Sequence, residues 1–196
     1  MTTGKVSMES EHSAAILRAV VSNTGPSISA LQSDCAHVLG QFYDLICIPV
    51  SVLAELKEHG ADAEMDAWIA AGFVRIQELT PAERQTVQTI AKEIAQSPMS
   101  RDKDPAQHYP EAEAIALMER EHWDAAELLM DELAVRETAQ RREIALVGFP
   151  GLLIRACQQG LLTPEQVRDA LTECQRQGTH YSNQSIAEID QRLRRD

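Results

Sequence analysis

The stretch Ala19-Val20-Val21-Ser22-Asn23-Thr24-Gly25-Pro26-Ser27-Ile28 constrains the fold more than any other part of the chain. It begins as a β-branched apolar run, the composition of a buried strand. It then breaks into small and polar residues, and Pro26 suits the first turn of a helix. A strand that ends in a polar side chain and turns directly into a helix forms the ligand-binding lip of an open parallel α/β sheet. Asn23 stands on that lip.

The rest of the sequence repeats this alternation. Residues 45–48 read as a second strand, closed by Pro49. Residues 73–76 form a short run with period-two alternation. Residues 127–130 read as a strand closed by Asp131, and 143–147 as the last strand. Between them fall helical segments at 27–39, at 65–71, from Thr80 to about Ala95, and at 111–121, 132–142 and 152–159. Another helix has Ser51 as its N-cap and stops at Gly60. Thr80-Pro81-Ala82-Glu83 and Thr163-Pro164-Glu165-Gln166 both carry a cap, a first-turn proline and a capping-box partner. The helix opened by Thr163 ends near Gly178, and 182–195 reads as a final helix with Ile186, Ile189 and Leu193 on one face. A short helix is expected from His12. Residues 97–110 hold three prolines and read as the longest loop, a disordered surface segment with folding over a substrate as the alternative. Strands alternating with helices predict an α/β fold: a twisted parallel sheet, right-handed crossovers and helices on both faces.

Composition narrows what such a sheet can serve. The 196 residues are 44% apolar but only 4% aromatic, so an aliphatic core is expected. The formal net charge of -12 excludes a general coater of nucleic acid, whose affinity comes from neutralising phosphates. It does not exclude catalysis on nucleic acid through carboxylate-bound metal, because the ion supplies the local positive charge. Cys35, Cys47, Cys157 and Cys174 form no Cys-x-x-Cys pair, which argues against zinc. Cys35, Cys47 and Cys157 lie in apolar segments and read as core residues of a reduced, cytoplasmic protein. No apolar run has membrane-spanning length, and no signal peptide is visible. Trp68 and Trp123 read as packing residues. Arg192, Arg194 and Arg195 read as solvated charges, with Arg141 and Arg142 a second basic cluster.

Four places bring an acid or amide to the strand ends: Asn23, Glu55, Glu111 with Glu113, and Asp131. Each alone has an ordinary explanation. Asn23 suits a turn, Glu55 a solvated helix face, Glu111 a first helical turn and Asp131 an N-cap. Together, carboxylates at the ends of parallel strands repel one another unless a cation screens them. Mg2+ and Mn2+ take oxygen ligands, activate water and polarise phosphoryl oxygens, which is the chemistry of metal-assisted phosphodiester hydrolysis.

The ordered set of motifs resembles the PIN-domain ribonucleases, and most closely the branch near the VapC-type toxins. It consists of Val21-Ser22-Asn23-Thr24-Gly25-Pro26-Ser27-Ile28, Ile48-Pro49-Val50-Ser51-Val52-Leu53-Ala54-Glu55-Leu56, Glu111-Ala112-Glu113-Ala114-Ile115-Ala116-Leu117 and Leu128-Leu129-Met130-Asp131-Glu132. Arg136, the run from Val147 to Leu153, and the tail elements Gly160-Leu161-Leu162 and Gly178-Thr179-His180-Tyr181-Ser182 continue it. The resemblance implies a PIN-like three-layer fold with an amino-terminal extension at 1–17, a nuclease domain at 18–160 and a carboxyl-terminal helical extension at 161–196 packed on the domain. It implies a Mg2+ or Mn2+ site at Asn23, Glu55, Glu113 and Asp131, with Glu111 competing for the third position. Thr24 would position the metal or a water, and Arg136 would face the substrate. RNA as substrate, a small antitoxin protein and a homodimer are the partners implied. The chain departs from the family pattern at Asn23, where active members mostly carry Asp. The loss of one charge there supports an alternative: a catalytically weakened PIN-like binding or regulatory module.

Overall fold

The computed structural model describes residues 17–120, 125–179 and 181–195. Five strands form one sheet in the order β3-β2-β1-β4-β5. They are β1 (Ala19–Ser22), β2 (Leu45–Pro49), β3 (Val74–Gln77), β4 (Ala125–Leu129) and β5 (Leu146–Val147), and every pairing is parallel. The strand carrying the Asn23 motif is therefore central. Its lip is tied to its neighbour by Asn23 N–H donating to the Leu129 carbonyl at 3.0 Å.

The period of two along each strand sorts the core into two faces. Val20, Ile46, Ile48 and Leu129 pack on one side, against α1 (Thr24–Gln32), α2 (Ala36–Phe42), α3 (Val50–Glu58), α4 (Asp62–Ala70), α8 (Phe149–Gln158), α9 (Pro164–Arg176) and α10 (Asn183–Leu193). Val21, Leu45, Cys47 and Leu128 pack on the other, against α5 (Pro81–Gln96), α6 (Tyr109–Met118) and α7 (Leu133–Arg141). The three-layer PIN-like α/β architecture is thus the observed one. Leu162, Val167, Leu171, Cys174, Ile186 and Leu193 share the first of these clusters with the sheet. Both capping boxes form: Thr80 with Glu83, and Thr163 with Gln166. No described helix is long and apolar enough to cross a membrane.

Several sequence expectations need correction. Residues 27–39 do not form one helix. Ser33 Oγ donates back to the Ser29 carbonyl at 2.7 Å, Asp34 takes φ 55°, and the chain restarts as α2. A serine hydroxyl competing for the backbone ends the first helix. Ser51 is not an N-cap, since it lies inside α3 and its hydroxyl goes elsewhere. The loop at 97–110 is anchored rather than loose. It contains a 3-10 turn at Pro105–His108, buries Ser97, Ser100 and His108, and is tied to α7 by Ser97 Oγ donating to Glu137 at 2.8 Å. The last strand is two residues long because Glu143, at φ 57°, still belongs to a turn. Cys174 is buried, whereas Cys157 is only half-buried. Arg142 is paired with Glu93 and Glu119, and Arg194 with Glu165 and Asp190. The expected helix from His12 and the packing of Trp123 fall outside the described residues.

A candidate metal centre at the carboxyl edge of the sheet

Asn23 occupies the N-cap position of α1 with extended backbone, yet its side chain makes no capping bond. It turns across the sheet edge instead. Asn23 Nδ2 donates to Glu111 Oε1 at 3.1 Å and approaches Met130 Sδ at 3.4 Å. Asn23 is only 6% exposed. Its Oδ1 and the Oε2 of Glu111 are both buried without a hydrogen-bond partner. An unpaired buried oxygen ordinarily costs about 1–3 kcal/mol, so two in one place make a site that a proton, a donor or a cation would relieve.

Glu111 lies in the first turn of α6. Burial pushes its carboxyl up to about 7, and the negative charges of Glu132 and Glu55 add to this. The backbone of its own helix turn and the Asn23 amide oppose the shift. Glu55 projects from α3 and accepts a hydrogen bond from Thr24 Oγ1 at 2.5 Å. Thr24 is itself buried at the start of α1. The motif residue therefore fixes the orientation of an acid from the neighbouring strand's helix.

Glu113 goes a different way. Residues two apart on a helix point about 200° apart. The Glu113 carboxylate accepts a hydrogen bond from the Ser51 hydroxyl and makes none with Asn23, Thr24 or Asp131. The structure thus joins Asn23 to Glu111, Thr24 to Glu55 and Ser51 to Glu113, with Ser51 and Glu55 four residues apart on α3.

Asp131 follows β4 and is enclosed by groups from distant segments. Its Oδ1 accepts the Phe149 N–H at 2.8 Å, at the start of α8. Its Oδ2 accepts the Tyr181 hydroxyl at 3.1 Å, from the segment between α9 and α10. Tyr181 Oη also meets Ser29 Oγ at 3.3 Å. Burial raises the Asp131 pKa, while the Phe149 amide, Tyr181 and the Arg136 charge oppose the rise. Gly148 makes room for this arrangement. A Cβ there would stand 2.6 Å from both Arg136 Nη2 and Asp131 Oδ1. Arg136 therefore reaches the site beside Asp131.

Four residues at or beside this edge carried little sequence signal. Ser51 looked like a helix cap. Glu132 is an acid next to an acid. His108 sits in a proline-rich loop with no histidine partner nearby in sequence. Tyr181 lies within the tail motif, but nothing local ties a tyrosine to an aspartate 50 residues earlier.

The donor set at this edge is oxygen-rich and anionic, and it contains two buried oxygens with no donor. That chemistry fits a hard divalent cation. Asn23 and Glu111 carry those unpartnered oxygens and are the residues that would hold it.

A family model described as a PIN domain, DUF3368, matches residues 19–195, nearly the whole chain. No curated protein and no solved structure matches it. PIN domains are generally nucleases, and PIN nucleases usually use divalent metals. The chain belongs to the PIN-domain family and, with it, to a nuclease superfamily.

Proposed function

We propose that the protein is a Mg2+- or Mn2+-dependent endoribonuclease and the toxin of a type II toxin–antitoxin pair. The observation that carries the nuclease reading is the pair of buried, unpartnered oxygens, Asn23 Oδ1 and Glu111 Oε2, beside further acids at the sheet edge. A bound divalent ion would supply Lewis-acid polarisation of a phosphoryl oxygen and activation of water. The chain's own residues provide the rest. Thr24 holds Glu55 in one orientation. Phe149 N–H and Tyr181 hold both oxygens of Asp131. The Arg136 guanidinium offers a fixed charge for a phosphate of the RNA backbone. The antitoxin reading draws support from Val50 and Leu133. Both are exposed apolar residues, and they open α3 and α7 at this same edge of the sheet.

Asn23 favours a second reading, a PIN-like binding module with weakened catalysis. It offers a neutral oxygen where a carboxylate would bind metal more strongly. One experiment separates the two. A mixed labelled RNA pool is incubated with Mn2+, with EDTA, and with Glu111→Gln and Asp131→Asn variants. Metal-dependent cutting that is lost in the variants supports the ribonuclease. Cutting by Asn23→Asp but not by wild type supports the weakened module. No cutting by either overturns the ribonuclease reading. The toxin assignment is tested by growth arrest on expression, relieved by a small protein encoded beside it.

A further inference from the structure

His108 stands near Glu111 and takes no part in the oxygen site. It is 4% exposed, at the end of the 3-10 turn that leads into α6. Its Nε2 lies 3.0 Å from the Asp102 carbonyl and 3.0 Å from Ser100 Oγ. A carbonyl only accepts, and Ser100 Oγ already donates its proton to that same carbonyl at 2.5 Å. Nε2 must therefore carry the ring proton. In the neutral imidazole this leaves the lone pair on Nδ1, which faces Glu132 Oε1 at 3.9 Å. A backbone carbonyl holding the far ring nitrogen is how proteins orient a histidine that ligates through the near one.

One ligand atom each from His108, Glu111 and Glu132 lies within 4.8 Å of the others. Next to them, Glu111 Oε2 and the 94%-buried Asn23, through its Oδ1, lack any partner. A ring nitrogen and two carboxylates thus converge, and the one hydrogen bond that reaches them from Asn23 leaves Glu111 Oε2 without a donor. Glu132 is about a third exposed at its side chain, so it can swing to close the remaining distance.

We propose that His108 Nδ1, Glu111 and Glu132 form a mixed nitrogen–oxygen site for a borderline divalent transition ion such as Mn2+ or Co2+. The site selects against Mg2+, which takes oxygen ligands. It shares Glu111 with the oxygen site and rests on the metal reading above for that residue alone. RNA cleavage is not needed for it. The consequence is a centre whose metal choice is set by one imidazole supplied from the 97–110 segment.

The test is binding, measured on the full chain. Mn2+, Co2+ and Mg2+ are titrated separately by calorimetry into wild type, His108→Gln and Glu132→Gln, and bound Mn2+ is examined by pulsed EPR. Wild type is expected to bind Mn2+ and Co2+ at least about tenfold tighter than Mg2+ and to show imidazole-nitrogen modulation on Mn2+. His108→Gln should lose the modulation and the preference. Glu132→Gln, a more exposed position, should weaken Mn2+ about tenfold or more while the fold stays intact by circular dichroism. Modulation that persists in His108→Gln, or equal Mn2+ affinity in Glu132→Gln, overturns the proposal. If His108→Gln fails to fold, the Glu132→Gln titration and the wild-type EPR decide. Absence of the histidine signature in wild type that still cuts RNA with metal would fail this inference alone. Intact signature without cutting would fail only the ribonuclease reading.

Discussion

The two halves of the site are built on opposite plans. Asp131 is complete. Each of its oxygens has a protein donor, one from the start of α8 and one from Tyr181, and Arg136 stands beside it. The Asn23–Glu111 half is incomplete. Only one Glu111 oxygen is bonded, and the side-chain oxygen of Asn23 has nothing. Both acids are buried, so the cost of burial is similar in kind. The protein offsets it at Asp131 with fixed dipoles, and at Glu111 it leaves the carboxyl to be neutralised by a proton or a cation. A finished half gives rigidity, and an unfinished half gives affinity for a positive ligand.

The largest expected effect breaks the contrast outright. Glu111→Gln keeps the shape but removes the charge, and we expect cleavage of labelled RNA in Mn2+ to fall roughly 100- to 1000-fold. A variant as active as wild type would show that the unfinished half is not where metal acts. Next is the dependence of stability on pH without metal. In EDTA, Glu111 protonates at about 7 in the folded protein against an ordinary 4.5. The folded state then holds more protons between those values. Its contribution is full below 4.5 and is lost as pH rises through 7, by at most roughly 3 kcal/mol. Thermal melts in EDTA across this range should fall toward high pH, and Glu111→Gln should flatten the curve. Excess Mn2+ should stabilise most at high pH, since it competes with the proton.

The finished half predicts smaller changes. Gly148→Ala forces a methyl against Arg136 and Asp131, and urea unfolding should show a loss of about 1–3 kcal/mol. Retained stability would mean that the loop shifts freely and that the half is less rigid than its bonds imply. Tyr181→Phe removes one donor to Asp131 and should cost about 1 kcal/mol. It should also raise the Asp131 pKa further, visible by NMR titration of the carboxyl. An unchanged titration would dismiss Tyr181 as a positioning residue.

Much of this was legible in the chain because it is local. The strand-to-helix break at Asn23 needs only β-branched residues followed by Gly25 and Pro26. Both capping boxes need only Thr, Pro and an N3 partner, and both formed. The break at Asp34 was missed because Ile28, Leu31, Val38 and Leu39 keep an apolar pattern through it. Nothing in that pattern shows Ser33 bonding back to the Ser29 carbonyl. The 97–110 segment read as exposed because prolines and charges dominate it. Its anchors are the buried hydroxyls of Ser97 and Ser100 and the imidazole of His108, which no pattern marks.

The sequence by itself determined the alternation of elements, the parallel sheet and the set of acids from which a site could be drawn. Periodicity and capping are short-range properties, and one chain states them fully. Only the tertiary structure decided which of those acids meet. Glu111 and Glu113 are two apart on one helix, so the choice between them depends on how α6 is rolled. Ala112, Ile115 and Leu117, buried against α5 and the sheet, set that roll. The contacts of Asp131 with Tyr181 and of Glu111 with Asn23 span 50 and 88 residues. Packing brings such partners together, and local sequence carries no record of it.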